Sequence, residues 1–258
     1  MRHLWTWIAS ALVLAVIFAL GVSIVKNPNI DHAAIAKYQF APAILAGLRI
    51  TIELALIAGV IGLGLGLGLA LMRLSDNPVL RWTSGAYTWA FRGTPLLVQI
   101  LIWGNLALLF KNVGFGPASI PTNSLVTPFV ASILALGLNE GAYMSEIIRA
   151  GILAVPSGQV DAARALGMSS GLTMRHVVLP QAFAMIVPPT VNQFTNLLKA
   201  TSLVSVIAGG DLLTAAENIA SANLHTIELL LVATFWFLLI TSLSGIAQHA
   251  VETRLAPA

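Results

Sequence analysis

The stretch PSGQVDAARALGMSSGLTMRHVVLP, residues Pro156–Pro180, is the longest polar-leaning segment in an otherwise almost continuously apolar chain. It opens with a Pro-Ser-Gly turn, and Gln159–Leu166 is then predicted to form a short helix that ends at Gly167. A second turn is predicted at Ser169–Gly171, and the final proline opens the next apolar run. A helix between two membrane spans needs a reason to stay ordered. A bound partner protein would supply that reason for this polar segment.

The composition of the 258-residue chain is typical of a membrane protein. Hydrophobic residues make up 57% of it and charged residues only 9%, whereas a soluble domain carries about 25% charged residues. Cysteine is absent, which excludes disulfides, thiolate metal sites and a cysteine nucleophile. The net charge of +3 is small. We expect no metal site and no contact with nucleic acid, and the lipid bilayer is the expected surrounding.

Six apolar runs are predicted to cross the membrane as helices. The first, Leu4–Val25, is uncharged and long enough to span, so we expect an uncleaved anchor followed by an outer linker. This N-terminal region covers residues 1–40, and the main membrane region covers residues 41–258. The spans of the main region are predicted at Pro42–Met72, Thr88–Phe110, Ser124–Ile148, Gln181–Ala208 and Glu228–Gln248. The sequence therefore predicts an all-α bundle that passes through the membrane several times.

The distribution of basic residues predicts the orientation of this bundle. Six spans put both termini on one side, and with the N-terminus inside, seven arginines lie at inner positions against three lysines outside. Because Lys and Arg collect in cytoplasmic loops, this balance places the polar segment in the cytoplasm. The inner residues are Arg2, Arg73, Arg81, Arg149, Arg164, Arg175 and Arg254, and the outer ones are Lys26, Lys37 and Lys111.

Glycine and proline residues predict features of individual spans. In the second span, Gly62/Gly66 and Gly64/Gly68 form two small-xxx-small pairs, which let helix backbones approach closely in a membrane. We interpret both pairs as ordinary helix packing. In the fifth span, Pro188–Pro189 is expected to kink the helix and free carbonyl groups that face a cavity.

The fourth predicted span carries polar residues that are candidates for a substrate pathway. Asn139, Tyr143 and Glu146 share one helical face, and Glu140 lies about 24 Å into the span at 1.5 Å per residue. An ionisable residue at that depth is costly, so it indicates a substrate path or an ion pair. Glu146 and Arg149 stand at i, i+3 and are expected to form a structural ion pair. Glu140 is therefore the candidate for contact with a substrate ammonium group.

The fifth predicted span carries a second polar stripe. Asn192, Asn196 and Lys199 fall on one face, and such faces in lipid turn to the bundle interior, where they cross-link helices or line a pathway. Lys199 either meets a substrate carboxylate or neutralises Glu140 or Glu217. The sequence leaves both interpretations open.

The polar segment also contains a motif of fixed spacing. From Asp161 to Pro180 it reads D-A-A-x-x-x-G, nine residues, then V-x-L-P. This resembles the cytoplasmic EAA loop of permease subunits in ABC importers, E-A-A-x-x-x-G, nine residues, I-x-L-P. Asp161 stands in the place of Glu, and Val177 stands in the place of Ile.

Three further stretches resemble the polar amino acid branch of that family (His/Glu/Gln/Arg/opine type). They are Phe91–Gln99, Ala142–Ile147 with Arg149 and Gly151, and Leu198–Leu203. The family more often has Gly and Asp where this chain has Ala150 and Ala200. The likeness covers roughly Ala41 to the C-terminus.

This resemblance implies the transmembrane subunit of a type I ABC importer in a prokaryotic cytoplasmic membrane. Two such subunits, identical or related, pair in the bilayer, bind two cytoplasmic ABC ATPases and receive substrate from an extracytoplasmic binding protein. It implies no cofactor on this chain, with ATP and Mg on the ATPases. The residues expected to couple to the ATPases are Asp161, Ala162, Ala163, Arg164 and Gly167. Those expected to be structural are Arg92, Gly93, Thr94, Pro95, Glu146, Arg149 and Pro180.

The sequence does not indicate an enzyme. A phosphate-binding P-loop needs Gly before its Lys, and none of the four lysines follows a glycine. H-E-x-x-H is also absent, so we do not expect an enzyme. We predict a permease subunit that moves polar amino acids by alternating access, driven by a separate ATPase. The alternative is a secondary transporter or channel for small polar solutes that works alone.

Overall fold

The computed structural model of the chain is a bundle of helices with one short β-hairpin. It describes residues 2–114 and 119–255, and 84% of it is helical, which confirms the predicted all-α class. The first seven helices are α1 (Arg2–Val25), α2 (His32–Tyr38), α3 (Pro42–Leu74), α4 (Pro78–Gly93), α5 (Leu96–Gly104), α6 (Leu106–Leu109) and α7 (Thr122–Leu125). The others are α8 (Pro128–Leu153), α9 (Ser157–Ala165), α10 (Ser170–Thr173), α11 (Leu179–Ala200), α12 (Leu212–Asn223) and α13 (Thr226–Leu255). Strands β1 (Asn112–Val113) and β2 (Ile120–Pro121) pair antiparallel between α6 and α7.

Three helices are long and apolar enough to cross a membrane, counted over the residues that the structure describes. They contain the windows Trp5–Ser23, Pro42–Leu74 and Thr226–Thr253, which correspond to the first, second and sixth predicted spans. A fourth span arises if the helix Ser170–Ile207 and α12, which meet at 42°, are taken together. Helix α8 is 26 residues long, and it begins and ends a few residues later than predicted.

The third predicted span is wrong as a single helix. Helix α4 begins at Pro78, capped by the side chain of Asn77, and ends at Gly93, whereas α5 begins at Leu96. Between them Thr94 is extended, with φ −111° and ψ 141°. The physical reason is Pro95, because a proline disfavours helical backbone in the residue before it. A span predicted from apolarity alone did not include this break.

The start of the fifth span also differs from the prediction. No turn separates Ser169 from the apolar run, and one helical rod runs from Ser170 to Ile207 through α10, a π turn, α11 and a final 3₁₀ turn. The π turn spans Met174–Val178, and the N–H of Leu179 donates to the carbonyl of Met174. Pro180 has no N–H to offer in the α-helical pattern, and the wider turn accommodates that loss. Helix α11 continues as one helix through Pro188 and Pro189.

The packing of α3 against α8 forms the centre of the bundle. Gly62 lies so close to α8 that a Cβ added there would be 2.4 Å from Cγ of Glu140. A Cβ at Gly66 would be 2.5 Å from Cβ of Met144. Gly64 and Gly68 face open space within 4 Å. Of the two predicted small-residue pairs, the first therefore packs α3 on α8 inside this chain.

Helix α12 lies between the fifth and sixth predicted spans. Its N-cap residue Asp211 is fully buried and accepts from the N–H of Leu213 at 3.0 Å. The preceding N–H, that of Leu212, donates to Oγ1 of Thr51 at 3.0 Å. These bonds satisfy the first turn of α12 and tie it to α3.

Candidate translocation site and coupling surface

A cavity of about 550 Å³ lies where the break between α4 and α5 meets α8 and α11. It brings together four residues of the predicted substrate pathway and four that were predicted to be structural. The pathway residues are Asn139, Glu140, Tyr143 and Asn196, and the others are Arg92, Gly93, Thr94 and Pro95. Leu96, Leu136, Gln193, Leu197 and Ala200 complete the wall.

A buried glutamine, Gln99, stabilises the break between α4 and α5. The side-chain N–H groups of Gln99 donate to the carbonyl of Phe91 at 2.9 Å and to Oγ1 of Thr94 at 2.8 Å. Asn139 on α8 donates to the same Phe91 carbonyl at 3.0 Å and to Oε1 of Gln99 at 3.2 Å. Backbone groups left free by a break in a membrane helix need such partners, which here come from two elements. Asn139 therefore fixes the shape of the cavity as well as lining it.

Glu140 is the acidic residue of this cavity. Only 4% of its surface is exposed, and its Oε2 accepts from Nε2 of Gln193 on α11 at 3.0 Å. No cation pairs with it in the described part of the chain. A buried carboxylate held by a neutral amide still lacks a charge partner, and buried charges are normally paired. The cavity thus offers a place for a ligand cation.

Arg92 is the basic residue of the cavity wall. It is exposed, and its guanidinium lies 5.3 Å from the centre of the Tyr143 ring, which is a cation–π distance. Glu140 and Arg92 are the two charged residues among those that line the cavity. A cavity with one fixed charge of each sign suits a zwitterion, which carries an ammonium and a carboxylate group.

The polar segment folds as α9 followed by a left-handed turn. Gly167 has φ +77°, and its N–H donates to the carbonyl of Arg164 at 2.9 Å. The N–H of Met168 donates to the carbonyl of Ala163 at 3.1 Å. This pair of bonds is the Schellman arrangement that ends many helices and favours glycine. Asp161 and Arg164 form an exposed pair at 3.9 Å.

The predicted coupling residues of α9 do not all face outward. Ala162 is exposed, but Ala163 is only 4% exposed and packs against the rest of the chain. Ala163 therefore does not point outward to a partner. The outward apolar residue is Leu166, which is 82% exposed at the end of α9. The sequence did not predict this exposure, because Leu166 was expected to be the last residue of the helix.

Residues 61–257 match the family described as binding-protein-dependent transport system inner membrane component. The chain belongs to this family. The permease is 40% identical over 254 residues to the arginine transport system permease protein ArgU of Corynebacterium glutamicum, covering 98% of the permease and 80% of ArgU. It is also 40% identical over 222 residues to the L-cystine transport system permease protein TcyB of Bacillus subtilis, covering 86% of the permease and 90% of TcyB.

Solved structures confirm the fold of the permease. One chain of a crystal structure of an amino acid ABC transporter with histidines superposes with a TM-score of 0.77 at 35% identity, over 88% of the permease and 99% of that chain. A chain of the MetNI methionine ABC transporter superposes with a TM-score of 0.68 at 15% identity, over 83% of the permease and 97% of that chain. The predicted type I ABC importer fold and the inner-membrane location are confirmed. The family is a transport component rather than a catalytic subunit.

Not every predicted pathway residue lies in the cavity of the permease. Asn192 and Lys199 are exposed on α11 and do not line it. Lys199 forms no ion pair with Glu140 or Glu217 among the described residues. Glu146 and Arg149 pair at 2.7 Å as predicted, also outside the cavity wall.

Gln193 was missed, although it is the direct partner of Glu140. It stands one position away from the stripe drawn through Asn192 and Asn196, and spacing alone does not tell which face of α11 meets α8. The cavity role of Arg92 was also missed. Its signal was the Gly93-Thr94-Pro95 turn, because non-helical backbone at membrane depth occurs where it is buried in protein or lines a cavity.

Proposed function

We propose that this permease passes polar amino acids through the cavity between the α4–α5 break, α8 and α11, as part of an ATP-driven importer. The observation that carries the proposal is the unpaired, buried carboxylate of Glu140 in a cavity that also holds Arg92. Glu140 would take the substrate ammonium group and Arg92 its carboxylate. The names of the relatives, for arginine, cystine and amino acid transport, support this substrate class.

The proposed complex pairs this permease with a second permease, identical or related. Two cytoplasmic ABC ATPases would bind ATP and Mg, because the permease has no P-loop of its own. An extracytoplasmic binding protein would deliver the substrate, in line with the family description. Closure of the ATPases on ATP would move α9 and the rod that starts at Ser170. The cavity would then open outward, load, and release inward after hydrolysis.

The function is tested with the permease reconstituted in liposomes with its ATPase and binding protein. Arginine, histidine, glutamine, glutamate and cystine are added one at a time, and ATP hydrolysis and uptake are measured. We expect one or a few of these amino acids to stimulate both activities, and leucine to stimulate neither. Uptake by the permease without any ATPase would instead favour the stand-alone transporter.

Replacing Gly167 by Ala is expected to weaken ATPase binding about five- to tenfold. The left-handed backbone at φ +77° costs a residue with a Cβ about 1–2 kcal/mol, so the end of α9 would rearrange. Gly158→Ala is the matched control, because Gly158 has open space within 4 Å and no positive φ. The measurement is the affinity of purified ATPase for the permease in nanodiscs. Equal affinities for the two variants would remove Gly167 from the coupling surface.

A further inference from the structure

Helices α8 and α11 run antiparallel along the cavity. Glu140 on α8 accepts a hydrogen bond from Gln193 on α11. Gly151 lies further along α8, and a Cβ added there would be 2.3 Å from Cγ1 of Ile186, which is earlier on α11. Because α9 follows the end of α8, a later position on α8 lies nearer to α9, and a later position on α11 lies farther from it.

The carboxylate of Glu140 lies between a guanidinium and an amide. The guanidinium of Arg92 is on the α9 side, 5.3 Å from the centre of the Tyr143 ring and within electrostatic reach of Glu146. The amide is that of Asn196, which follows the hydrogen-bond partner of Glu140 by three residues on α11. It is therefore on the same face of α11 as that partner and about 4.5 Å farther from α9.

The fixed charges of the cavity wall cancel. Glu140 and Arg92 are the two charged residues that line it. Glu146 and Arg149 neutralise each other at 2.7 Å outside the wall, and Lys199 is exposed and does not line the cavity. The ammonium and carboxylate groups of a bound amino acid would use both charges of the wall. A further charge on its side chain would have no counterion there, and an unpaired charge away from water is costly.

Asn196 is the amide of the wall whose hydrogen-bonding groups are available to a ligand. It is exposed, and it forms no hydrogen bond within the described part of the chain. The side-chain N–H groups of Asn139 already donate to the carbonyl of Phe91 and to Oε1 of Gln99. Gln193 donates to the carboxylate of the cavity at 3.0 Å. Because an asparagine side chain offers two donors and an acceptor, Asn196 can both donate to and accept from another amide.

We propose that the cavity selects amino acids with an uncharged, hydrogen-bonding side chain, for which glutamine is the model, and that Asn196 recognises this side chain. The inference rests on the proposed function, since it assumes that Glu140 holds the ammonium group and Arg92 the carboxylate. With those two groups in place, the side chain of the amino acid extends away from Arg92 and toward Asn196. Its amide then pairs with the amide of Asn196.

The test measures the binding of radiolabelled glutamine, arginine and glutamate to the permease with its ATPase in nanodiscs. The binding protein is omitted, because its own selectivity would otherwise decide which amino acid reaches the cavity. We expect glutamine to bind at least about tenfold more tightly than arginine and glutamate, since either charged side chain would lack a counterion. Tighter binding of arginine or glutamate would overturn the inference.

Variants of Asn196 test the assigned residue. N196D adds one negative charge to the wall at nearly constant size, and it should raise the affinity for arginine relative to glutamine at least about tenfold, because hydrogen bonds to charged groups are the stronger ones. N196A should weaken glutamine binding about two- to tenfold through the lost hydrogen bonds.

N192D is the matched control for N196D. It places the same charge on the same helix, at an exposed asparagine outside the cavity wall, and it should keep the wild-type ratio of the two affinities. An unchanged ratio in N196D would overturn the assignment. Equal shifts in N196D and N192D would also overturn it, because the preference would then follow the charge of α11 rather than a contact at Asn196.

Two further readouts separate this inference from protein stability and from the proposed function. N196A should melt at the wild-type temperature, because Asn196 makes no hydrogen bond within the described residues; a lower melting temperature would indicate a structural role and contradict the assignment. If the complete importer takes up no amino acid, the proposed function itself fails. If the complete importer is active but the nanodiscs show no preference for glutamine, or no binding, only the present inference is overturned.

Discussion

Replacing Glu140 by Gln is expected to lower uptake at low substrate concentration about 100-fold, without loss of folded permease. A buried hydrogen bond to a charged group contributes about 1.5–3 kcal/mol, which corresponds to about 10- to 150-fold in affinity. The amide keeps the size of the side chain, and its oxygen still accepts from Gln193. Neutralising a buried carboxylate that has no cation beside it should not destabilise the protein. The measurement is radiolabelled amino acid uptake in liposomes.

The matched control for this variant is Glu217→Gln. Glu217 is also a glutamate on a helix, but it is exposed on α12 and does not line the cavity. We expect normal uptake from the control. Normal uptake from Glu140→Gln would show that the substrate does not use this carboxylate, and the cavity would lose its assigned role.

Replacing Gly62 by Ala is expected to lower the free energy of unfolding by about 1–3 kcal/mol, the usual effect of overfilling a packed contact. The added methyl group would lie 2.4 Å from Cγ and 2.7 Å from Cβ of Glu140, so α3 and α8 must separate. Because Glu140 would be displaced, uptake should fall as well. The measurement is thermal unfolding in detergent together with uptake in liposomes.

Gly64→Ala, two residues further along α3, is the control for this effect. Its added methyl group meets nothing within 4 Å, and Ala is favoured over Gly in a helix by about 1 kcal/mol. The variant should therefore be as stable as the wild type or slightly more stable. If Gly62→Ala and Gly64→Ala behaved alike, the close contact of α3 with α8 would not exist in the membrane.

Several parts of this structure can be predicted from local properties of short stretches of the sequence. Apolarity and length predicted α3 and α13, and the turn chemistry at Gly167 predicted the end of α9 to within one residue. The i, i+3 spacing predicted the pair of Glu146 and Arg149. These features depend on residues that are near one another in the chain. Interactions between residues that are close in the sequence are sufficient to predict these features.

The features that were missed depend on contacts between distant residues. The α4–α5 break is held by Asn139, which is 40 residues beyond Gln99 in the sequence. Ala163 turned out to be buried because α9 packs on the π turn, and an alanine does not indicate which way it faces. Gln193 meets Glu140 across 53 residues. Periodicity places a residue on a helix face, but only packing decides what that face meets.

The number of residues in the π turn between α10 and α11 determines how far the preceding chain is rotated about the helix axis relative to α11. One residue advances an α-helix by about 100°, so deleting one residue from Met174–Val178 would turn everything before it by about that amount relative to α11. Both helices would survive, yet α9 would face another direction than the cavity requires. The nine residues between Gly167 and Val177 therefore determine the rotational orientation of α9 relative to α11. A deletion in this part of the chain should be far more damaging to transport than a substitution.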